Sequence, residues 1–425
     1  MTIRKTTLAL AAALAVLGPL PALAQNAAID ELREEIRKLR AEVDALKKAK
    51  AGDAKPADAT GWGERIEQLE LKQKDAVVAG DIGGGFRLPG SETSVRLYGY
   101  AEAHMIHDFR EPGPDDLFTD LMFQPIKGSV PKGKTKLTAS TSRFGFESST
   151  PTSAGSFSTK LEMDFYSYGS GNRNRLRLRH AYGEYAGWLI GQTWSTFMDL
   201  DDLPETVDFN GPIGSPFSRR TMIRYTFADP KAGYKLTAAL EDPEDQFGGG
   251  STNEKMPQIV LRYDRSFDGG AFNIRLLGHE KRSFAATKRG FGVGIGGSYK
   301  LSDKALLMGQ IARVDGDIDQ MYGSNGYAID GDTGEITFDK NWGLVAGLAY
   351  TFDAKLRGNL VFGMNKADTA QAVDNKSLRQ FHANLIYSPI RNVELGAEVI
   401  FGERKTFAGE KGTMGKFDLM GRYSF

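Results

Sequence analysis

The stretch Lys416-Phe417-Asp418-Leu419-Met420-Gly421-Arg422-Tyr423-Ser424-Phe425 alternates between two kinds of side chain. In an extended strand, one face carries Phe417, Leu419, Gly421, Tyr423 and Phe425, and the other face carries mostly polar residues. A strand that is apolar outside and polar inside suits the wall of a membrane β-barrel. Such a strand must pair with the first strand, because lipid offers no hydrogen bonds to an open edge. The rest of the chain must then supply the other strands.

The composition permits a membrane barrel and excludes several other classes of protein. After position 25 the sequence has no apolar run of about 18 residues, which excludes membrane-spanning helices. The chain has no cysteine, which excludes disulfides, thiol catalysis and thiolate metal sites. Its 54 basic and 54 acidic residues balance, and no basic cluster indicates a nucleic-acid partner.

Residues 1–24 are predicted to be a cleavable secretory signal peptide. Arg4 and Lys5 precede an apolar core at positions 8–17, and Ala22-Leu23-Ala24 resembles a cleavage site. We therefore expect a mature chain beginning at Gln25 that is exported across the inner membrane.

Residues 25–50 are predicted to form a short coiled coil, followed by a linker with a short helix at 51–94. The coiled-coil core residues recur at spacings of three and four: Ile29, Leu32, Ile36, Leu39, Val43 and Leu46. β-Branched residues alternating with Leu favour two helices by themselves. The alternative is a single amphipathic helix that folds back against the barrel.

From Val95 onward the period of hydrophobicity is two, which predicts an all-β region at 95–425. The length of each segment is near the ten or so residues of a tilted membrane strand. We predict sixteen antiparallel transmembrane strands, at 95–109, 137–149, 154–167, 175–186, 188–198, 219–227, 233–241, 256–266, 271–280, 289–300, 304–315, 341–352, 354–365, 378–388, 392–402 and 416–425.

The connections between these strands alternate between long polar loops and tight turns. The predicted long loops are 110–136, 199–218, 242–255, 316–340, 366–377 and 403–415. Membrane barrels have long loops outside the cell and short turns in the periplasm, whereas a soluble sandwich has no such asymmetry. With an even number of strands, the coiled coil and Phe425 are both expected in the periplasm.

The chain resembles the DcaP-like trimeric outer-membrane porins, and more broadly the sixteen-strand porins. The resemblance lies in the combination of a signal peptide, a coiled coil, a glycine-rich bridge, sixteen strands and the terminal Arg422-Tyr423-Ser424-Phe425. The resemblance implies a homotrimer in the outer membrane of a Gram-negative bacterium, in contact with lipid and lipopolysaccharide. It also implies a channel without cofactors rather than an enzyme, with dicarboxylates among plausible solutes. The terminal Phe425 resembles the signal that the barrel-assembly machinery reads.

In such porins the loop after the fifth strand folds inward and narrows the channel. Here that loop is 199–218, whose acids are Asp199, Asp201, Asp202, Glu205 and Asp208. The polar faces of the strands carry basic residues that we expect to line the pore, namely Arg143, Lys160, Arg175, Arg177, Arg179, Arg220, Arg224 and Arg262, together with Arg275 and Arg357. We hypothesise that these bases face the loop acids, which creates a transverse field that favours anions.

The run Arg175, Arg177, Arg179 is open to a second interpretation. Period two points all three guanidinium groups to one side. Above the bilayer they would instead bind phosphates of lipopolysaccharide or a loop of a neighbouring subunit.

Motifs for chemistry are absent or lack their context. Gly292-Val293-Gly294-Ile295-Gly296-Gly297 fits a dinucleotide-binding pattern, but it lies within a predicted strand, where glycines indicate close approach of a loop or side chain. Asp315, Asp317 and Asp319 begin like a calcium loop, but Gln320 and Gly326 depart from the pattern. We predict no metal site. The second candidate function is a structural or adhesive protein that tethers the membrane to peptidoglycan through its coiled coil.

Deletion of Ala27 to Lys50 tests whether the coiled coil drives assembly. If it does, the deletion variant should run as monomer on unheated gels under conditions in which the full chain stays oligomeric, because the a/d core no longer joins the subunits. Unchanged oligomers would contradict this role.

Overall fold

In the computed structural model the described residues are 37–38, 78–113, 120–166, 175–244, 253–321, 323, 325–368 and 374–425. The chain divides into two compact units, Met1–Ala76 and Val77–Phe425. In the first unit Arg37 and Lys38 are helical and exposed. The predicted signal peptide and the six coiled-coil core residues lie outside the described residues.

Within the described residues, sixteen antiparallel strands form one sheet. They coincide with the sixteen predicted strands, and that prediction is confirmed. Their bounds are β1 Ser94–Asp108, β2 Lys134–Thr138 continued by Arg143–Thr152, β3 Gly155–Asp164, β4 Arg177–Tyr185, β5 Trp188–Trp194, β6 Arg219–Asp229, β7 Tyr234–Glu241, β8 Gln258–Phe267, β9 Gly270–Arg282, β10 Thr287–Ser302, β11 Ala305–Asp315, β12 Lys340–Thr351, β13 Leu356–Ala367, β14 Asn375–Tyr387, β15 Val393–Thr406 and β16 Lys411–Ser424.

The sheet closes into a barrel because β16 pairs with β1. The register runs from Lys416 opposite Asp108 to Ser424 opposite Tyr100. Inside the barrel this seam is reinforced by an ion pair between Arg422 and Glu102. Closure pairs the edges of both strands, as a strand in lipid requires.

The two faces of the wall differ as the alternation predicts. On β9, Ile274 and Leu276 point outward and are 40% and 47% exposed, while Asn273 and Arg275 point inward and are buried. An apolar outer face with a polar inner face is the pattern of a membrane barrel with an aqueous lumen. Among the described residues, no helix is long and apolar enough to cross a membrane.

The two ends of the barrel carry different connections, which we call the long-loop rim and the short-turn rim. The short-turn rim has connections such as 153–154, 186–187 and 303–304, and the turn Ala186-Gly187 has φ values of 50° and 87°, as a tight two-residue hairpin turn requires. The predicted long loop at 403–415 is wrong. β15 and β16 stay paired as far as Lys405 and Lys411, because the hairpin extends beyond its apolar part.

The structure also contains short elements that the sequence did not reveal. Val78–Ala79 and Phe86–Arg87 form a hairpin that pairs with Ser94 and Val95 of β1. β16 reaches only to the level of Tyr100, so Phe86–Arg87 of this hairpin pairs with the start of β1 beyond the end of β16. In the long-loop rim, Leu121–Phe123 form a 3-10 turn, and Tyr327–Ile329 pairs with Ile336–Phe338.

Leu276→Arg tests whether the outer face of β9 lies in lipid. An arginine near the bilayer midplane should lower the free energy of unfolding by about 2–4 kcal/mol. Urea titration of the barrel in liposomes measures this. As a control, Lys304→Arg at the short-turn rim should stay within about 0.5 kcal/mol. Equal stability of both variants would contradict a lipid-facing position for Leu276.

Candidate channel constriction

Residues 195–218, which connect β5 to β6, fold into the barrel; we call them the inner loop. Their apolar side chains Phe197, Val207 and Ile213 are 0%, 3% and 1% exposed. Each is buried in a cluster with residues of the barrel wall or the rim. Full burial of one such side chain contributes about 1.5–3 kcal/mol. The inner loop is therefore fixed inside the barrel by apolar anchors.

These anchors explain why several inward-facing wall positions are apolar. Phe197 packs with Val260 of β8 and Leu277 of β9, and Val207 packs with Ile386 of β14 and Met420 of β16. An aqueous wall would carry polar residues at such positions. Apolar residues on the inner face thus mark the part of the wall that the inner loop covers.

Glycines on the inner face make room for the loop. A Cβ added to Gly292 would lie 2.9 Å from the Phe197 ring, and one added to Gly396 would lie 2.8 Å from Val207. A Cβ at Gly347 would collide with Pro204, and one at Gly296 with the Asp199 carboxylate. The dinucleotide-like pattern at 292–297 therefore contributes a surface for close packing, the role that glycine in a strand often has.

The start of the inner loop is held by polar groups of β8, β9 and β11. The buried Asp199 carboxylate lies 3.5 Å from Arg262 and 3.7 Å from Arg275. Asn273 donates a hydrogen bond of 2.7 Å to the same carboxylate, and Gln310 donates one of 3.0 Å to the Asp199 carbonyl. Charge and hydrogen bonding together offset the cost of burying Asp199.

The middle of the inner loop is held by β13, β14 and β15. Arg357 binds the Glu205 carboxylate through two hydrogen bonds of 2.8 Å. The buried Glu398 carboxylate accepts the backbone N–H groups of Val207 and Asp208 at 2.8 and 3.2 Å. His382 Nδ1 lies 2.8 Å from Glu398 and orients this carboxylate.

The acidic side chains of the inner loop differ in how far they are exposed to a solute. The Asp201 side chain is 88% exposed, and that of Glu205 is 42% exposed. Asp202 is buried beside Asn273. This burial is the main cause that raises the pKa of Asp202 above its usual value, and the negative charge of the Asp199 carboxylate is the second cause. Asp208 is buried and accepts backbone N–H groups of its own turn. Asp201 and Glu205 are therefore the acids through which the loop acts on the lumen.

A second group of charged residues lies on β2, β3 and β4. Asp164 accepts hydrogen bonds from Arg177 at 2.6 and 2.9 Å and from Arg179 at 2.9 Å. Glu162 accepts one from Arg179 at 2.7 Å and lies 3.4 Å from Arg143. Arg177 is 27% exposed and Arg143 20%, whereas Asp164 and Glu162 are 0% and 6% exposed. The guanidinium groups thus lie nearer to solvent than the carboxylates that bind them.

Aromatic rings surround this arginine cluster. Arg177 lies over the rings of Tyr166 and of Phe209 from the inner loop, at 5.2 and 5.8 Å. Arg219 lies 3.9 Å from the centre of the Trp194 ring. Cation–π contacts and ion pairs restrict the guanidinium groups to few orientations. The cluster therefore touches the inner loop through Phe209.

The other predicted basic residues are dispersed. Arg175 precedes β4 and is exposed, and Lys160 binds Glu147 at 3.0 Å. Arg224 lies 3.7 Å from Glu184. The buried Arg220 binds Asp319 at 3.1 Å and lies 3.7 Å from Asp317, while Asp315 binds Arg313 at 2.9 Å. The carboxylates of the calcium-like sequence thus serve as partners for arginine.

The structure corrects the expectation that all the wall bases face the loop acids. Arg262, Arg275 and Arg357 do bind acids of the inner loop, whereas Arg143, Arg177 and Arg179 bind acids of β3. Alternation along a strand indicates whether a side chain points into or out of the barrel. It does not indicate the position of that side chain along the barrel axis or the residue that it binds. It therefore missed Arg219, Trp194 and Phe209, and gave no sign that Glu398 and His382 hold the loop.

Comparisons with known proteins agree with this geometry. The sequence model of the DcaP outer membrane protein family matches residues 66–425. The outer membrane channel DcaP of Acinetobacter baumannii is 28% identical, with a TM-score of 0.72 over 82% of this chain and 100% of that chain. OmpT of Vibrio cholerae is 14% identical, with a TM-score of 0.53 over 80% of this chain and 99% of that chain, and shares the fold. No curated protein sequence matches the chain.

The family match covers the whole barrel, and the similar channel from Acinetobacter shares its architecture over its full length. Together with the closed seam, the apolar outer face and the inner loop, these similarities establish that the chain is a β-barrel protein of the outer membrane. The chain belongs to the DcaP outer membrane protein family and shares its barrel architecture with the outer membrane channel DcaP of Acinetobacter baumannii.

Proposed function

We propose that this channel lets small hydrophilic solutes cross the outer membrane by passive diffusion and favours anions, dicarboxylates among them. The observation that carries the proposal is the unequal exposure of the charges around the inner loop. On β2 and β4 the guanidinium groups of Arg143 and Arg177 are partly exposed, at 20% and 27%, while their carboxylate partners are buried. A solute passing this wall meets positive charge first.

The mechanism combines exclusion by size with electrostatic selection. The inner loop is fixed by apolar anchors and ion pairs, so it narrows the lumen as a stable constriction. Asp201 and Glu205 supply negative charge on the loop, and Arg143 and Arg177 supply positive charge on the wall. A field between the two orients a solute and lowers the barrier for its anionic groups. Diffusion through the constriction needs no energy source and no covalent chemistry.

Assembly is part of the proposal. The chain forms a homotrimer, with the coiled coil at 25–50 and both termini in the periplasm, where the coil reinforces assembly or contacts peptidoglycan. The strand ending at Phe425 is the segment that the barrel-assembly machinery reads. The long-loop rim then faces the exterior, as in other membrane barrels.

The alternative function is a tether between membrane and cell wall with a blocked lumen. It is favoured by the extent of wall that the inner loop covers, from β7 to β16. Single-channel recording in planar bilayers separates the two functions. Discrete ohmic steps support the channel, and a protein that inserts without conductance supports the tether.

Gly347→Leu tests whether the inner loop sets the constriction. The added side chain would collide with Pro204 and displace the loop toward the lumen, because overpacking this contact costs about 1–3 kcal/mol. Single-channel conductance should fall. Gly278→Leu is the matched control: Gly278 has open space around its Cβ position on the outer face of β9, so conductance should not change. Equal conductance of both variants would place the constriction elsewhere.

Arg143→Gln combined with Arg177→Gln tests the anion preference. Glu162 and Asp164 keep Arg179 as partner, so neither carboxylate is left without a cation. Loss of two partly exposed charges near the solute should lower the anion-to-cation permeability ratio roughly fivefold, or ~1 kcal/mol. Reversal potentials in a salt gradient measure this ratio.

The control for the arginine variant changes two turn lysines instead, as Lys304→Gln with Lys355→Gln. Its permeability ratio should match that of the wild type, because both lysines lie at the short-turn rim. A cation preference in the wild type, unchanged in the arginine variant, would refute the proposal.

A further inference from the structure

The outer surface of the barrel carries a one-sided group of basic residues near the long-loop rim. On five consecutive strands, β10 to β14, the outward-facing residues are apolar until the long-loop end is approached, and the next outward position is basic. These five positions, which we call the basic belt, are Arg289, Arg313, Lys340, Lys366 and Arg379.

Exposure confirms that the belt continues the lipid-facing surface. Beneath it, Phe291, Ile311, Trp342 and Phe381 are 38–49% exposed on the outer face. The residues on either side of each belt position along the strand point inward and are mostly buried. The belt therefore lies directly above the apolar band, at the height where lipid headgroups begin.

The acids near the belt are largely hidden or engaged. Asp315 is buried and accepts both Nε and Nη2 of Arg313 at 2.9 and 3.1 Å. Glu280 is buried and accepts the Lys255 N–H. Asp368 is exposed beyond Lys366, and Glu403 lies opposite Arg379 in the register of β14 and β15. Four belt bases are exposed, so positive charge prevails at this surface.

Arg313 is held in the belt by an ion pair with Asp315 and by two aromatic rings. Its guanidinium lies 5.6 Å from the centre of the Phe291 ring and 5.3 Å from that of the Trp342 ring. The bidentate contact with Asp315 fixes the plane of the guanidinium and leaves Nη1 available. A cation held between two aromatic rings at the edge of lipid is suited to a phosphate on an acyl-bearing molecule.

The opposite side of the barrel lacks such a belt. Among the described residues, the outward positions that follow the apolar run on β5, β6 and β7 are Gln192, Thr221 and Asp242, none of which is basic. Arg219, which comes after Thr221 in this alternation, packs on the Trp194 ring. A general need for charge near headgroups would place bases around the whole circumference. The restriction to β10–β14 indicates a particular ligand on that side.

We propose that the basic belt binds the phosphate groups of lipid A, the membrane-embedded part of lipopolysaccharide. The ligand must carry phosphate at headgroup height and acyl chains that cover the apolar strands below. Lipid A in the outer leaflet has both, and the long-loop rim faces that leaflet. The Arg175–Arg179 run does not fill this role, because Arg177 and Arg179 point inward to Asp164 and Glu162.

The test compares lipid A binding by the full-length protein and two triple variants in detergent, measured by native mass spectrometry at low salt. Arg289→Gln/Lys366→Gln/Arg379→Gln removes three exposed belt charges and should weaken binding of bisphosphorylated lipid A about tenfold or more, since basic residues at a membrane surface act roughly additively. Lys300→Gln/Lys304→Gln/Lys355→Gln removes three charges from the short-turn rim and should bind as the wild type does.

Two further measurements make the outcome decisive. Lipid A without phosphates should bind all three proteins equally, and inorganic phosphate should not displace lipid A, because the belt recognises phosphate together with acyl chains. Equal affinity of both triple variants for bisphosphorylated lipid A would overturn the proposal. So would subunit dissociation in the belt variant with unchanged lipid binding, since the belt would then be a contact between copies. Unaltered conductance of the belt variant verifies its folding.

Discussion

A strand in a bilayer has no water to satisfy its backbone, so every N–H and C=O group must find a partner within the protein. In this chain that requirement is met by the pairing of β16 with β1, from Lys416 opposite Asp108 to Ser424 opposite Tyr100. Beyond the end of β16, Phe86–Arg87 pairs with Ser94 and Val95 at the start of β1. Closure then defines an inside and an outside, and all further features depend on that distinction.

The inside of the barrel is largely organised around the inner loop. Phe197, Val207 and Ile213 fill apolar sites on the wall, glycines of β10, β12 and β15 let the loop approach, and buried ion pairs fix its acids. Each of these contacts uses a wall residue that would otherwise face water. On β2 and β4 the lumenal surface that remains carries Arg143 and Arg177, which are more exposed than their carboxylate partners. Under the proposed function, these two arginines give a channel of balanced total charge its preference for anions.

The sequence revealed the strands more reliably than the site. Lipid on one side and water on the other impose a period of two, so all sixteen strands were predictable. The extension of β15 and β16 to Lys405 and Lys411 was missed, because beyond the membrane the outer face carries charge and looks like a loop. The sequence also predicted an inward loop with an acidic start, but the partners of those acids are far away in the chain: Arg262 lies 63 residues from Asp199, and Arg357 lies 152 residues from Glu205.

Some residues on the inner face of the wall, such as Leu277 and Ile386, are apolar where a strict alternation would place polar residues. These exceptions could have predicted where the inner loop packs. They mark where the inner loop packs, just as inward glycines do. The outer face held a comparable signal, since bases follow the apolar run on five successive strands. Both patterns become visible once the face of each residue is known.

The central claim is that the inner loop lies in the lumen and borders the path of the solute. The chain has no cysteine, so Asp201→Cys introduces a single thiol on a side chain that is 88% exposed. Its modification with a bulky charged thiol reagent during single-channel recording should reduce conductance at once, while Asp332→Cys on an exposed rim hairpin should show no change. Equal responses of the two variants would contradict the account.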